Sequence, residues 1–146
     1  MIEIKKIPKE LTYSIRQAVL RVGKPITSCY FDGDDLHTTL HFGLLIDSNL
    51  TGVVSVFENK NNNFTEALQF QLRGMAVLES YQRSGIGKQL LQEAEDFIFQ
   101  KKGALIWFNA RKSAVAFYKK CNYQLIDEPF EINDVGTHYI MYKKSL

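Results

Sequence analysis

Cysteine is scarce in this sequence of 146 residues: there are two, Cys29 and Cys121. Neither sits in a Cys-x-x-Cys pair or beside a histidine at metal-ligating spacing, so no metal centre is expected and both are read as reduced, mostly buried thiols. An excess of one charge is also missing. Lys and Arg number 18 against 16 Asp and Glu, a formal net charge of +2. The basic residues are scattered, which argues against a nucleic acid or an anionic membrane surface as partner. No apolar run approaches the roughly 18 residues needed to cross a bilayer. Met1 to Glu10 carries charges throughout, unlike a secretory signal. Internal repeats and domain-sized linkers are absent as well. One domain over 1–146 is expected, in the reducing cytoplasm that suits the cysteine usage.

What the sequence does contain is an ordinary globular composition, 45% hydrophobic and 23% charged. Ile2 to Ile7 alternates like an edge strand, and Pro8 ends it. Leu11 to Val22 predicts a helix with Leu11, Ile15, Ala18, Val19 and Val22 on one face. Gly23 and Pro25 stop it. After an irregular stretch, Leu36 to Ile46 and Leu50 to Glu58 predict an antiparallel hairpin turning at Asp47-Ser48-Asn49. Ala67 to Leu78 is a third strand. From Ile86 the apolar residues take helical spacing, with Gly103 as the stop. Ala104 to Phe108 is a continuous apolar run, expected of a strand covered on both faces. A short helix capped by Ser113 follows, with Val115, Phe117, Tyr118 and Cys121 as packing candidates. Tyr123 to Ile126 and His138 to Tyr142 close the chain as strands. The strand–helix–strand order in the middle puts at least one parallel pair in an otherwise antiparallel sheet.

The chemistry concentrates in Leu72 to Leu91, LRGMAVLESYQRSGIGKQLL: a strand, a turn holding Gly85 and Gly87, then an amphipathic helix. Glycines in such a turn let backbone N–H groups approach a ligand, and the helix N-terminus adds free donors and the positive end of its dipole. Together they suit a phosphate. Lys88, in the first helical turn, opposes the dipole unless an anion is bound. The spacing is not that of a P-loop, because Gln82 and Gln89 stand where Gly and Ser or Thr are needed. It is not a dinucleotide fingerprint either, because Leu90 replaces the third small residue.

Gln82-Arg83-Ser84-Gly85-Ile86-Gly87 does match the Q/R-x-x-G-x-G/A pyrophosphate motif, and the chain resembles the GNAT superfamily of N-acetyltransferases. Ala116-Phe117-Tyr118-Lys119-Lys120-Cys121-Asn122-Tyr123 is similar to that family's second landmark, with Asn122 for the usual Gly, a mild change because Asn tolerates positive φ. Where many relatives carry a cofactor-contacting Asn, this chain has Arg111. The ending around His138 and Met141 resembles the ElaA-like branch. The resemblance implies a mixed α+β fold with a central, mostly antiparallel sheet of six or seven strands. It also implies a splayed parallel pair and about four flanking helices.

The resemblance further implies acetyl-CoA as co-substrate and direct attack by a small-molecule or peptide amine. Met75, Ala76 and Val77 would pair with pantetheine, one of their amides polarising the acetyl carbonyl. Gln82, Arg83, Ser84, Gly85, Ile86, Gly87 and Lys88 would form the pyrophosphate loop. Tyr118 matches the family's general acid. Glu79 and His138 are the candidate bases, beside a water chain with no protein base. His37 and His41 are read as structural and Trp107 as core. The acidic turn Asp32 to Asp35 is either turn chemistry or an attractor for a cationic amine. Exposed edge strands would admit a homodimer. Two other readings compete: a catalytically silent acyl-CoA-binding module, and a nucleotide-binding protein using the same turn.

Overall fold

The computed structural model describes residues 1–145. Seven strands form one sheet: β1 Ile2–Lys6, β2 Leu40–Ile46, β3 Asn49–Glu58, β4 Gln69–Val77, β5 Leu105–Arg111, β6 Gln124–Ile132 and β7 Gly136–Lys144, in the order β1-β2-β3-β4-β5-β7-β6. Neighbours are antiparallel except β4 and β5. Among the described residues the α-helices are three rather than about four: α1 Thr12–Leu20, α2 Ile86–Phe99 and α3 Val115–Lys120, with single 3-10 turns elsewhere. None is long and apolar enough to cross a membrane.

The parallel pair is short. β4 pairs with β5 only from Gln69 to Gln71, against Leu105 to Trp107. Beyond that the strands separate, and the β5-facing edge of Leu72 to Val77 is left open. The cause is visible in β4. Its register against β3 shifts between Val53 and Ser55, so Gly74 and Met75 together oppose Val54. Gly74 sits at φ +64. A bulge with a left-handed glycine bends its strand and advances the side-chain alternation by one. Phe70 and Leu72 pack under α2 before the bulge, and Met75 and Val77 do so after it, while Ala76 points to the other face.

The larger core lies between the sheet and α2, where Leu44, Leu90, Leu91, Ala94, Ile98 and Ile106 have no solvent contact beyond about 1%. The opposite face is covered by α1, whose buried side keeps Ile15 of the predicted apolar set, with Val19 packed beside it, and adds Thr12 and Arg16. Leu11 and Val22 of that set are exposed, as is Ala18. The helix turns to seat a charge. Arg16 is fully buried and donates to both Asp34 carboxylate oxygens, at 2.6 and 3.0 Å, and to Cys29 O and Ser55 Oγ. His41 completes the network, bonding Ser55 Oγ through Nδ1 and Asp34 O through Nε2.

This network also explains why β2 starts at Leu40 and not at Leu36. Asp34 accepts the Phe31 N–H, and Thr39 Oγ1 donates to Gly33 O, so residues 31–39 are held as turns. His37 is exposed there and in no strand, whereas His41 is structural as expected. Helix α2 ends at Phe99, and Gly103 (φ +78) serves the later turn into β5. Ser113 makes no capping bond. β6 runs past the predicted end because a register shift between Ile126 and Phe130 absorbs Pro129 on an edge strand. Trp107 is core, its Nε1 donating to Asn59 O, and both thiols are free.

Candidate active site

Where β4 and β5 part, a cleft of about 610 Å³ opens. Its walls are β4 from Gln71 to Met75, β5 from Phe108 to Arg111, and Tyr118 of α3. Phe31 and the end of α1 close one side, and His138 of β7 closes the other. Splaying has a chemical consequence. The strand groups along Leu72 to Ala76 that a full parallel ladder would occupy are free to pair with an extended ligand.

The turn after β4 sits at one end of this gap. Gln82 Nε2 donates to Val77 O at 2.8 Å and Ser84 Oγ donates to Tyr81 O, which tie the turn to the strand. Arg83 (φ +66) and Gly85 (φ +84) take left-handed backbone, and Gly85 is the N-cap of α2 without a side-chain cap. Among the described residues, the backbone N–H groups of Arg83, Ser84, Gly85, Ile86, Gly87 and Lys88 have no protein acceptor. Six successive free donors ahead of a helix of 14 residues form an anion cradle. A Cβ on Gly87 would make only ordinary contacts, 3.5 Å to Met75 Cε and 3.6 Å to Phe117 Cζ. The protein itself therefore does not require glycine at 87, and the bare backbone leaves room for a ligand.

Tyr118 reaches from α3 to Met75, its hydroxyl 3.6 Å from Sδ, and its ring packs 4.4 Å from that of Phe108. Burial, with the Cys121 thiol beside it as a smaller cause, pushes its phenol up to about 12. It is a neutral O–H donor at any physiological pH. Asn122, at the end of α3, adopts φ +71, so the Asn does there what the usual Gly would.

His138 is 4% exposed and lies across from Arg111 in the β5–β7 register. Its Nδ1 is 2.8 Å from Gly136 O. A carbonyl only accepts, so Nδ1 carries a proton, and Nε2 has no protein partner among the described residues. Glu79 is not brought to this place. It lies exposed on the 3-10 turn Glu79–Tyr81, outside the cleft wall. The acidic turn is not there either: Asp34 is consumed by Arg16, and Asp32 and Asp35 are not part of the wall. Burial raises the Asp34 carboxyl, but the hydrogen bonds from Arg16 and the Phe31 amide, with the Arg16 charge, outweigh it and hold it below its ordinary 3.8.

Gly74, Phe31 and Arg73 belong to the site although no motif announced them. A Cβ at Gly74 would stand 3.0 Å from both Arg16 Nε and the Phe31 ring. The Gly in Leu72-Arg73-Gly74-Met75, inside an otherwise good strand, was the available signal for a bulge.

The chain is similar in sequence and in fold to known proteins. The model of the Acetyltransferase (GNAT) family matches residues 12–123. YitI, an uncharacterized N-acetyltransferase of Bacillus subtilis (strain 168), is 34% identical over 143 residues, covering 98% of this chain and 96% of YitI. Among solved structures, Escherichia coli ElaA is similar in fold with a TM-score of 0.76 at 16% identity, over 98% of this chain and 99% of that one. Arabidopsis thaliana NAA60 in complex with acetyl-CoA gives 0.77 at 13% identity, over 99% and 98%.

Proposed function

The chain belongs to the Acetyltransferase (GNAT) family and is an acyltransferase, and on that premise we propose that it moves an acetyl group from acetyl-CoA to a primary amine by direct attack in a ternary complex. The observation that carries this reading is that the edge of β4 left unpaired by β5 leads along the chain into a turn whose N–H groups at residues 83–88 have no protein acceptor. The cradle suits a pyrophosphate, and the open edge of β4 suits an amide-bearing arm. The residues thus fit acetyl-CoA, which supplies an activated thioester.

Each part of the wall then has a task. The amides of Arg83 to Lys88 hold the pyrophosphate, with the α2 dipole adding to them. The open edge of Met75 to Val77 aligns the arm, and one of its amides stabilises the negative charge that develops on the acetyl oxygen. Tyr118 donates to the departing sulfur. Its phenol near 12 is a weaker acid than a free thiol near 8.5, so complete transfer is uphill even to a fully charged thiolate. Its first contribution is therefore a hydrogen bond to that charge. His138, through Nε2, orients the amine or takes its proton, directly or through water. Glu79 would have to act through solvent from outside the cleft, which leaves His138 as the better-placed base.

The test is release of free CoA thiol from acetyl-CoA across a panel of amines. Wild-type protein turns over, and Tyr118→Phe lowers turnover by about 100-fold while acetyl-CoA affinity is retained. Wild-type turnover in Tyr118→Phe would remove the phenol from the mechanism. Tight acetyl-CoA binding without turnover on any amine would favour a silent acyl-CoA-binding module.

A further inference from the structure

The acceptor side of the cleft has a charge the motifs do not explain. The wall includes Arg21, Arg73, Arg111 and His138, and among the described residues it includes no Asp or Glu. Three arginines in one cleft normally have carboxylate partners. Here, among the described residues, none of the three forms an ion pair, and the only side-chain bond any of them makes is from Arg21 to its neighbouring Leu20 O. Asp34, the acid that could have served them, is held by Arg16 from beneath.

The arginines are also placed together. The Arg73 guanidinium lies 4.7 Å and the Arg21 guanidinium 5.5 Å from the centre of the Phe31 ring, which also stacks on buried Arg16 at 3.9 Å. In β5, Asn109 and Arg111 alternate with Phe108 and Ala110, which pack in the larger core, so Arg111 faces away from α2. Its register partner His138 shares that face. Burial and the nearby Arg16 charge, with Arg21 adding to them, disfavour the charge on Arg73 and outweigh the opposing pull of Asp34 and Asp32. An arginine keeps its charge nonetheless, so an anion between these groups would relieve a standing repulsion.

We infer that the acceptor carries a carboxylate a few bonds from its amine, and that Arg73 and Arg21 bind this carboxylate against Phe31 with Arg111 on the facing wall. The guanidinium fork matches a carboxylate with two parallel hydrogen bonds. The substrate class is then an amino acid or a similar small amino-carboxylate. Cationic diamines and amino sugars, which lack an anion, meet a wall of their own sign. The small cleft agrees, because its 610 Å³ must also receive the end of the acetyl donor. The inference rests on the acetyl-transfer reading above.

The experiment compares thiol release from acetyl-CoA with free amino acids, the matching amino-acid amides and linear diamines. The acids are expected to exceed their amides by about 10- to 100-fold in kcat/KM, the range of a charged hydrogen bond. Arg73→Gln and Arg21→Gln should each raise KM for the acids more than they lower kcat, and Arg73→Lys should recover part of the loss. Acetyl-CoA should still raise the melting midpoint of each variant, which shows that they fold and bind the donor. Amides or diamines turned over as well as the acids would overturn the carboxylate inference and leave acetyl transfer standing. Absence of any acetyl-CoA effect on the wild type would overturn the transfer reading itself, and this inference with it.

Discussion

The two faces of the sheet are held by different physics. Under α2, Leu44, Leu90, Leu91, Ala94 and Ile98 form a hydrocarbon core, with Glu95 bonded to Tyr123 and Lys143 only at its margin. Under α1, a short apolar cluster of Ile7, Ile15, Val53 and Ala76 adjoins a buried network of Arg16, Asp34, Ser55 and His41. Apolar packing tolerates a change of shape at modest cost, whereas a buried charge tolerates almost no loss of a partner. The difference follows what each face supports. The α2 face carries the anion cradle, which needs a rigid helix start. The α1 face must hold Phe31 and Gly74 at the bend of β4, and directional bonds do that better than hydrocarbon contacts.

The comparison is broken most severely at Asp34. Asp34→Ala leaves Arg16 charged and buried, and should lower stability by about 3–5 kcal/mol in denaturant titration. A loss below about 1 kcal/mol would mean that water already compensates the pair. Next comes Leu90→Ala on the other face, about 3 kcal/mol through a cavity, with Leu90→Met losing less than about 1.5 kcal/mol. The pH dependence separates the faces further. The folded Asp34 carboxyl titrates below its ordinary 3.8, so its contribution is complete above that value and is lost as pH falls through the lower one. Wild type should therefore lose stability below about pH 4 more steeply than Asp34→Asn, while Leu90→Ala parallels wild type. The smallest effect is expected at Gly85. Gly85→Ala forces an L-residue to φ +84 and should reduce stability by about 1–2 kcal/mol, with weaker acetyl-CoA binding beside it.

The sequence made one face legible and hid the other. Helical spacing from Ile86 and the glycines at 85 and 87 predict α2 and the cradle, because apolar periodicity and turn chemistry are local signals. The same reasoning found α1, with Ile15 and Val19 on its packed side, but not the rest of that side. It searched for an apolar stripe, and the buried side also holds Thr12 and Arg16, the latter placed by Asp34 18 residues away. Pairing between distant charges leaves no periodic trace. The bulge at Gly74 was hidden in the same way. Its value lies in the approach of Arg16 and Phe31, and those neighbours come from other elements. Tyr118 and His138 were found through resemblance, and both line the cleft. Arg21, Arg73 and Arg111 gained meaning only once the fold put them on one wall without a counter-ion.

The most direct test of the cradle is calorimetric titration of acetyl-CoA into wild type and Gly87→Asp, with ATP and NAD as controls. Gly87 has an ordinary φ, and a Cβ there meets Met75, Phe117 and Val77 only at ordinary contact distance, so the variant should fold and bring a carboxylate beside the free N–H groups of residues 83–88. The account predicts acetyl-CoA binding to wild type in preference to both nucleotides, and at least about 10-fold weaker binding to the folded variant. Equal affinity in the two proteins, or no binding to wild type, would contradict it.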